Sequence, residues 1–338
     1  MDQPFGVRTN CSITSPRSSR PTARKALLLH RHQTTMKIAI TGAGGFIGSA
    51  LRAYHQSLGH EVHAISRTLI NEPGCYGHCI SLHSEETYAL IQALQPDILI
   101  HAAGRSSVPN SVTDPAADFN SGPPVVFQLL DALRLHSPKT TFLFLSSAAV
   151  YGNPAKLPIH EYSAINPISP YGCHKYQSEL LVREFAEIYG GRSASIRIFS
   201  AYGKGLKRQL LWDVCQKAWG NNQISLLGSG NEARDFVHIT DICRALEFII
   251  GQSDLIGQPI NLCSGISTPI QEVSQLIASH FPHQPSIIFS GVQQLGAPAR
   301  WQGETSWLHS RGFDCSISIA EGVNEYVEWF LNTHQQKD

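Results

Sequence analysis

Eight residues, Thr41-Gly42-Ala43-Gly44-Gly45-Phe46-Ile47-Gly48, constrain this chain more than any other feature of it. They stand between a short apolar run, Lys37 to Ile40, and a helical pattern, Phe46 to Ser57. A glycine-rich run says little alone and much more where it leaves a strand and opens a helix. Gly42 permits a tight turn, Gly45 lets backbone approach a pyrophosphate, and Gly48 lets the helix lie close to the sheet. The first N–H groups of such a helix, those of Phe46, Ile47 and Gly48, have no partner within it and carry partial positive charge, which suits phosphate. The competing reading is a turn that holds no ligand.

The pattern after Met36 extends this unit. Glu61 to Ile65, Asp97 to His101, Thr141 to Leu145 and Ser195 to Phe199 read as strands, and Ser169 to about Tyr189 reads as one long helix. Short apolar runs alternating with helical stretches predict an α/β fold with a doubly wound parallel sheet of Rossmann type, covered on both faces. Pro123-Pro124 predicts a kink or a late helix start. Beyond Tyr202 the pattern turns irregular, with short strands such as Ile224 to Leu227. We therefore expect residues 36–200 to form mainly a dinucleotide-binding domain and 201–338 mainly a smaller α/β substrate-binding lobe, with some return of chain to the first domain.

Residues 1–35 differ in character: Arg8, Arg17, Arg20, Arg24, Lys25 and Arg31 face one acid, Asp2, among many Ser and Thr. This stretch is read as outside the fold, either an organelle transit peptide or an extension upstream of a true start at Met36; the second is preferred. Lys plus Arg and Asp plus Glu number 26 each, so no global basic field draws the chain to nucleic acid. The eight cysteines are spread along the chain without the spacing of a disulfide scaffold, which fits a reducing, cytoplasmic setting. Cys75, His78 and Cys79 are close, but no second pair accompanies them and no metal is expected. No run of about 18 apolar residues predicts a membrane span.

The end of the second strand reads His63-Ala64-Ile65-Ser66-Arg67. A carboxylate there would bind both ribose hydroxyls of NAD. With Ser66 and Arg67 instead, a 2′-phosphate can be paired, which tilts the expectation from NAD towards NADP; the other reading of Arg67 is a solvated side chain. In Tyr171-Gly172-Cys173-His174-Lys175 a phenol and an ammonium stand four residues apart on one helix face. A nearby cation favours the phenolate, so Lys175 is expected to make Tyr171 a usable base. Phe142 to Ser147 reads as a buried strand that ends in hydroxyls, and Ser147 can hydrogen-bond a reacting oxygen.

With these motifs in order, the chain resembles an extended short-chain dehydrogenase/reductase of the NAD-dependent epimerase/dehydratase family acting on nucleotide sugars. The resemblance covers about residues 36–332. It rests on Thr41 to Gly48, His101-Ala102-Ala103-Gly104, Ser146 to Gly152, Tyr171 to Lys175, Arg197 to Gly203 and Arg234 to Asp241. It implies that Ser147, Tyr171 and Lys175 are catalytic, that Ala102 and Ala103 line the adenosine and ribose side, and that Phe199 lies near the nicotinamide. It also implies that Arg234 grips the diphosphate, a role that suits a guanidinium. An ion pair of Arg234 with a local acid such as Asp235 is the competing reading. A homodimer and a setting in polysaccharide or deoxysugar synthesis are further implications.

The departures narrow the activity. Ala148-Ala149 stand where sugar 4,6-dehydratases carry an Asp-Glu pair, so dehydration is not expected. Ser200 and Lys204 replace the family's usual Asn and Pro, and Lys207-Arg208-Gln209 follows in a loop expected to face substrate. Ser147, Ser200, Arg208 and Arg234 are thus the substrate-binding candidates, and the nucleotide and sugar stay open. The leading reading is a nucleoside-diphosphate-sugar 4-epimerase. The alternatives are an NADPH-dependent reductase of nucleotide 4-keto-6-deoxysugars and a non-catalytic dinucleotide-binding sensor.

Overall fold

In the computed structural model, which describes residues 35–292 and 298–335, the first apolar run is strand β1 (Lys37–Thr41), and the glycine turn feeds helix α1 (Phe46–Ser57). Strand β2 (Glu61–Ser66) returns parallel to β1, and β3 (Cys75–Cys79) adds outside it. Helix α2 (Glu86–Leu94) leads to β4 (Ile98–His101), which pairs with β1 on its other side. Helices α3 (Val108–Thr113), α4 (Pro115–Asn120) and α5 (Pro123–His136) precede β5 (Thr141–Ser147). A 3-10 turn at Ala148–Tyr151, the long helix α6 (Pro170–Tyr189) and β6 (Ser193–Ile198) follow.

The remaining elements are β7 (Ser200–Tyr202), α7 (Gln209–Gly220), β8 (Gln223–Leu226), β9 (Ala233–His238), α8 (Ile239–Ile250) and β10 (Ile256–Leu262). They end with β11 (Ser267–Pro269), α9 (Ile270–Ser279), β12 (Ser286–Phe289), α10 (Ser306–His309) and α11 (Ile319–Gln335).

Seven strands form one parallel sheet in the order β10-β6-β5-β4-β1-β2-β3. The doubly wound Rossmann sheet read from the sequence is therefore present. Its order reverses between β1 and β4, and ligands of open α/β sheets bind outside the carboxyl ends of the strands at such a point. Neighbouring residues of β1 enter different cores. Ile38 and Ile40 pack with Leu51 of α1 and Leu246 of α8, whereas Ala39 packs with Leu129 of α5 and Val182 of α6. A strand buried on both faces has to be apolar throughout, which is why these runs lack alternation.

A three-stranded sheet, β11-β9-β7, and a two-stranded sheet, β12-β8, carry the second half. Leu211 and Val214 of α7, Val273 and Ile277 of α9 and Tyr326 and Phe330 of α11 build its own core. The chain also goes back to the large sheet, since β10 forms its outer edge beside β6. Pro123-Pro124 gives the late start rather than a kink: α5 begins at Pro123 with Gly122 as its cap, positions where a missing N–H costs nothing. The two readings of the amino-terminal extension concern residues 1–34 almost entirely and lie outside the described residues. Among the described residues no helix is long and apolar enough to cross a membrane.

Candidate active site

The cradle at the switch point is set by close backbone approaches. Gly42 has φ +65°, and a Cβ there would stand 2.6 Å from the Ala103 nitrogen. A Cβ on Gly48 would stand 2.2 Å from the Gly42 carbonyl oxygen, and one on Gly44 would meet nothing within 4 Å. The turn is thus closed towards the sheet and open above it. Gly45 caps α1 without a side chain, and the first turn holds no acid. The N–H groups of Phe46, Ile47 and Gly48 are left for an anion. Ala103 N–H donates to Thr41 Oγ1 at 3.3 Å, and the same oxygen lies 2.7 Å from His101 Nδ1, so the Ala102-Ala103 segment is tied to the turn. These features fit a dinucleotide pyrophosphate.

At the end of β2 the Ser66 hydroxyl donates to the Thr68 carbonyl. Arg67 is exposed, and among the described residues its guanidinium makes no hydrogen bond or ion pair. Its carbonyl accepts from Cys79 Sγ at 3.3 Å, which joins the turn to the end of β3.

Helix α6 starts where it does because Ser169 caps it, accepting from Gly172 N–H at 3.2 Å, with Pro170 as first residue. Tyr171 N–H donates to Ser111 Oγ of α3 at 3.1 Å. A Cβ on Gly172 would lie 2.6 Å from the Ala149 carbonyl oxygen. This glycine therefore lets α6 press on the turn after β5 and brings Tyr171 to Ser147. Ser147 Oγ accepts from Ala149 N–H at 3.2 Å, which leaves its proton available to the Tyr171 phenol, on which it acts.

Burial holds the Tyr171 phenol above its usual range; the Ser147 hydrogen bond opposes this, the Asp118 charge adds to it, and the Arg208 charge opposes it. Lys175 Nζ is 5.9 Å from the Tyr171 ring centre and donates to the Leu145 carbonyl at 2.7 Å. The groups that draw Tyr171 towards phenolate are thus Ser147 and Arg208. Burial lowers Lys175 to about 8, against the charges of Asp118 and Glu179. A cavity lined by His101, Ala103, Arg105, Asp118, Tyr171 and Lys175, among others, opens beside them. Burial lowers His101 to about 3, so its imidazole stays neutral.

The other sequence candidates divide. Arg208, exposed at the cap of α7, acts on Tyr171 from the second lobe. Ser200 opens β7, half-buried. Phe199 is only 5% exposed, its ring packed with Tyr151, Cys263 and Trp301, so it turns into the core. Arg234 lies 5.7 Å over the Trp301 ring, and burial brings it down to about 10. It does not pair with Asp235, whose carboxylate accepts instead from Ser264 N–H, Gly265 N–H and Gly303 N–H at 2.7, 3.0 and 3.0 Å. Adjacent residues of a strand point to opposite faces, which rules out an ion pair with Asp235; the local acid whose charge acts on Arg234 is Glu232.

Sequence reasoning assigned no role to Asp118 or His174, although Asp118 Oδ2 is 2.7 Å from His174 Nδ1 in the same cavity. His174 stood within a quoted motif; Asp118 gave no signal. Beneath the strand ends, Arg197 pairs with Glu179 at 2.6 Å and donates to Tyr151 Oη at 2.8 Å.

Residues 38–263 match the sequence model of the NAD dependent epimerase/dehydratase family. The chain is 30% identical to a GDP-6-deoxy-D-mannose reductase of Pseudomonas aeruginosa, over 87% of this chain and 97% of that protein. It is 25% identical to a UDP-glucose 4-epimerase of Mycolicibacterium smegmatis, over 89% of this chain and 100% of the relative. Its fold superposes with a TM-score of 0.80 on a UDP-glucose 4-epimerase of Thermotoga maritima solved with UDP-glucose, 23% identical over 88% of this chain and 100% of the other.

Proposed function

The chain belongs to the NAD dependent epimerase/dehydratase family, and from that premise we propose that it is a nucleoside-diphosphate-sugar 4-epimerase. The observation that carries the reading is that Ser147 acts on the Tyr171 phenol, with Lys175 one helical turn further on beside the same cavity. Gly42, Gly45, Ala102, Ala103 and the N–H groups of Phe46, Ile47 and Gly48 would hold the dinucleotide, and Lys175 its nicotinamide ribose. A nicotinamide held there would supply the acceptor for a hydride from carbon 4 of the sugar and the donor for its return.

Tyr171, drawn towards phenolate by Ser147 and Arg208 against its burial, would take the proton of the 4-hydroxyl as the carbon-4 hydride leaves, giving a 4-keto sugar; the same proton returns to that oxygen after the sugar has turned over. Ser147 donates a hydrogen bond to the reacting oxygen and stabilises the charge that develops there. Arg208 lies on the sugar side and favours the phenolate. Ala148 and Ala149 offer only methyl groups where elimination of water would need an acid and a base, which supports epimerisation over 4,6-dehydration. We assign residues 36–200 mainly to the cofactor and later residues mainly to the sugar nucleotide, with Ser200 as a contact and Arg234 on the diphosphate.

A second reading rests on Arg67. An exposed guanidinium without a partner among the described residues, at the end of β2, suits the 2′-phosphate of NADP(H), and a 4-keto-sugar reductase would consume NADPH. The exposed side chains of Phe127 on α5 and of Leu180, Ile188 and Tyr189 on α6 favour a homodimer through these helices.

The test offers the purified protein UDP-, GDP-, dTDP- and CDP-hexoses and reads products by chromatography while following cofactor absorbance. Interconversion of 4-epimers without net change in the cofactor supports the epimerase. Stoichiometric NADPH loss on a 4-keto sugar replaces it with the reductase. Dinucleotide binding without turnover of any sugar leaves a sensor.

A further inference from the structure

The Lys175 ammonium is half-buried at the edge of the cavity, and few protein groups stand in for the water it loses. Its side chain donates one hydrogen bond, to the neutral Leu145 carbonyl at 2.7 Å, and lies 4.7 Å from the centre of the Phe144 ring. An ammonium has three donors, and a buried cation without a counter-charge tends to lose its proton.

The charged and titratable groups around it come from five places. On α6 itself, Glu179 is held by Arg197 at 2.6 Å, and Ser146 Oγ also donates to it at 2.5 Å. On β4, His101 is neutral. After β4, Arg105 lines the cavity but pairs with Asp114 at 3.3 Å. Arg208 acts on Tyr171 from the second lobe. On α4, Asp118 is 4% exposed and lines the same cavity as Lys175. Its partner is His174 Nδ1 at 2.7 Å. Of the two carboxylates that act on Lys175, Asp118 is the one without a guanidinium against it.

We infer that Asp118 is a positioning residue of this site: its carboxylate, oriented by His174 Nδ1–H, is the counter-charge that keeps the Lys175 ammonium protonated. This rests on the proposed roles of Tyr171 and Lys175. Burial and Asp118 act on Lys175 in opposite senses, as that role requires. Asp118 also opposes ionisation of Tyr171, so its charge is tolerable only if Lys175 needs it more.

The competing account is a plain staple between α4 and α6. Asp118→Asn separates the two, because it keeps the size and an acceptor for His174 while removing the charge. The readout is competitive acetylation of the cofactor-free protein from about pH 6 to 10, with Lys175 followed by peptide mass spectrometry. In Asp118→Asn the Lys175 midpoint should fall by about one unit, which is about tenfold more free amine at a given pH. His174→Gln, which leaves the carboxylate in place, should not lower it. An unchanged midpoint in Asp118→Asn overturns the inference. So does an equal fall in both variants, which would report loosening of the α4–α6 contact. Should Asp118→Asn not fold, Asp118→Glu decides: a midpoint at or above the parent's supports the role, and one below it overturns the role. No sugar enters this experiment, so failure of the parent to turn over any sugar nucleotide sinks the proposed activity without touching this result.

Discussion

The Cβ position of Gly48 lies 2.2 Å from the carbonyl oxygen of Gly42, six residues earlier. That separation is shorter than any real contact, so the first turn of α1 and the glycine loop can coexist only without a side chain at residue 48. The loop would have to shift to admit even a methyl group, and an overpacked contact of this kind costs about 1–3 kcal/mol. Gly48→Ala should therefore lose at least about tenfold in dinucleotide affinity, by fluorescence titration with NADH and NADPH, because the phosphate-facing N–H groups move with the loop. Unaltered affinity would place the pyrophosphate elsewhere.

Tyr171 separates binding from chemistry. Its phenol feels Ser147, while its backbone is fixed independently by Ser111. Tyr171→Phe should leave the backbone and the cradle intact and lower turnover by about 10²–10⁴-fold, the usual worth of a positioned acid or base. Dinucleotide affinity should stay within about threefold, a change of under 1 kcal/mol. A variant that keeps its turnover would remove Tyr171 from the mechanism.

The depressed Lys175 has a consequence for stability. Burial lowers its folded value to about 8 from an ordinary 10.5, so the fold bears the full cost of the charged amine below about pH 8. Between pH 8 and 10.5 the unfolded chain binds more protons than the folded one, and this group's contribution to stability rises with pH. Lys175→Met should accordingly melt about 2–5 °C above the parent at neutral pH. The gap should close as the pH rises through that window. Scanning calorimetry at several pH values checks this, and a gap that is constant with pH would show that packing, and not charge, is responsible.

Much of the cofactor cradle was legible because it is local. The turn from Thr41 to Gly48 and the spacing of Tyr171 and Lys175 are each confined to one strand–turn–helix unit or one helical turn, where sequence distance fixes spatial distance. The legible part stops where contacts cross elements. Asp118 and His174 are 56 residues apart and meet only because α4 packs on α6. Arg234 and Asp235 mislead for the opposite reason: adjacent in sequence, they face opposite sides of β9, one towards Trp301 and one towards Ser264 and Gly303. Strand β10 carries Gly257 and Pro259, which break a strand pattern. Its place at the sheet edge is what tolerates the proline, and edge position cannot be read from the run itself.

The pair beneath the site gives the sharpest test of packing. Arg197 and Glu179 are 3% and 6% exposed, and Arg197 also donates to Tyr151 Oη at 2.8 Å and to the Glu161 carbonyl at 2.7 Å. Tyr151 donates in turn to Asn261 Oδ1 at 2.7 Å, so the network links β6 and α6 to β10. Arg197→Met leaves a buried carboxylate without its counter-ion and should cost about 3–5 kcal/mol in denaturant unfolding. Glu179→Leu alone should cost a similar amount for the mirrored reason. Because an apolar pair of like volume can replace a buried ion pair at little net cost, the double variant should be more stable than either single one. A double variant as unstable as the sum of the two would instead assign the stability to the hydrogen bonds of Arg197 with Tyr151 and Glu161, and not to its charge on Glu179.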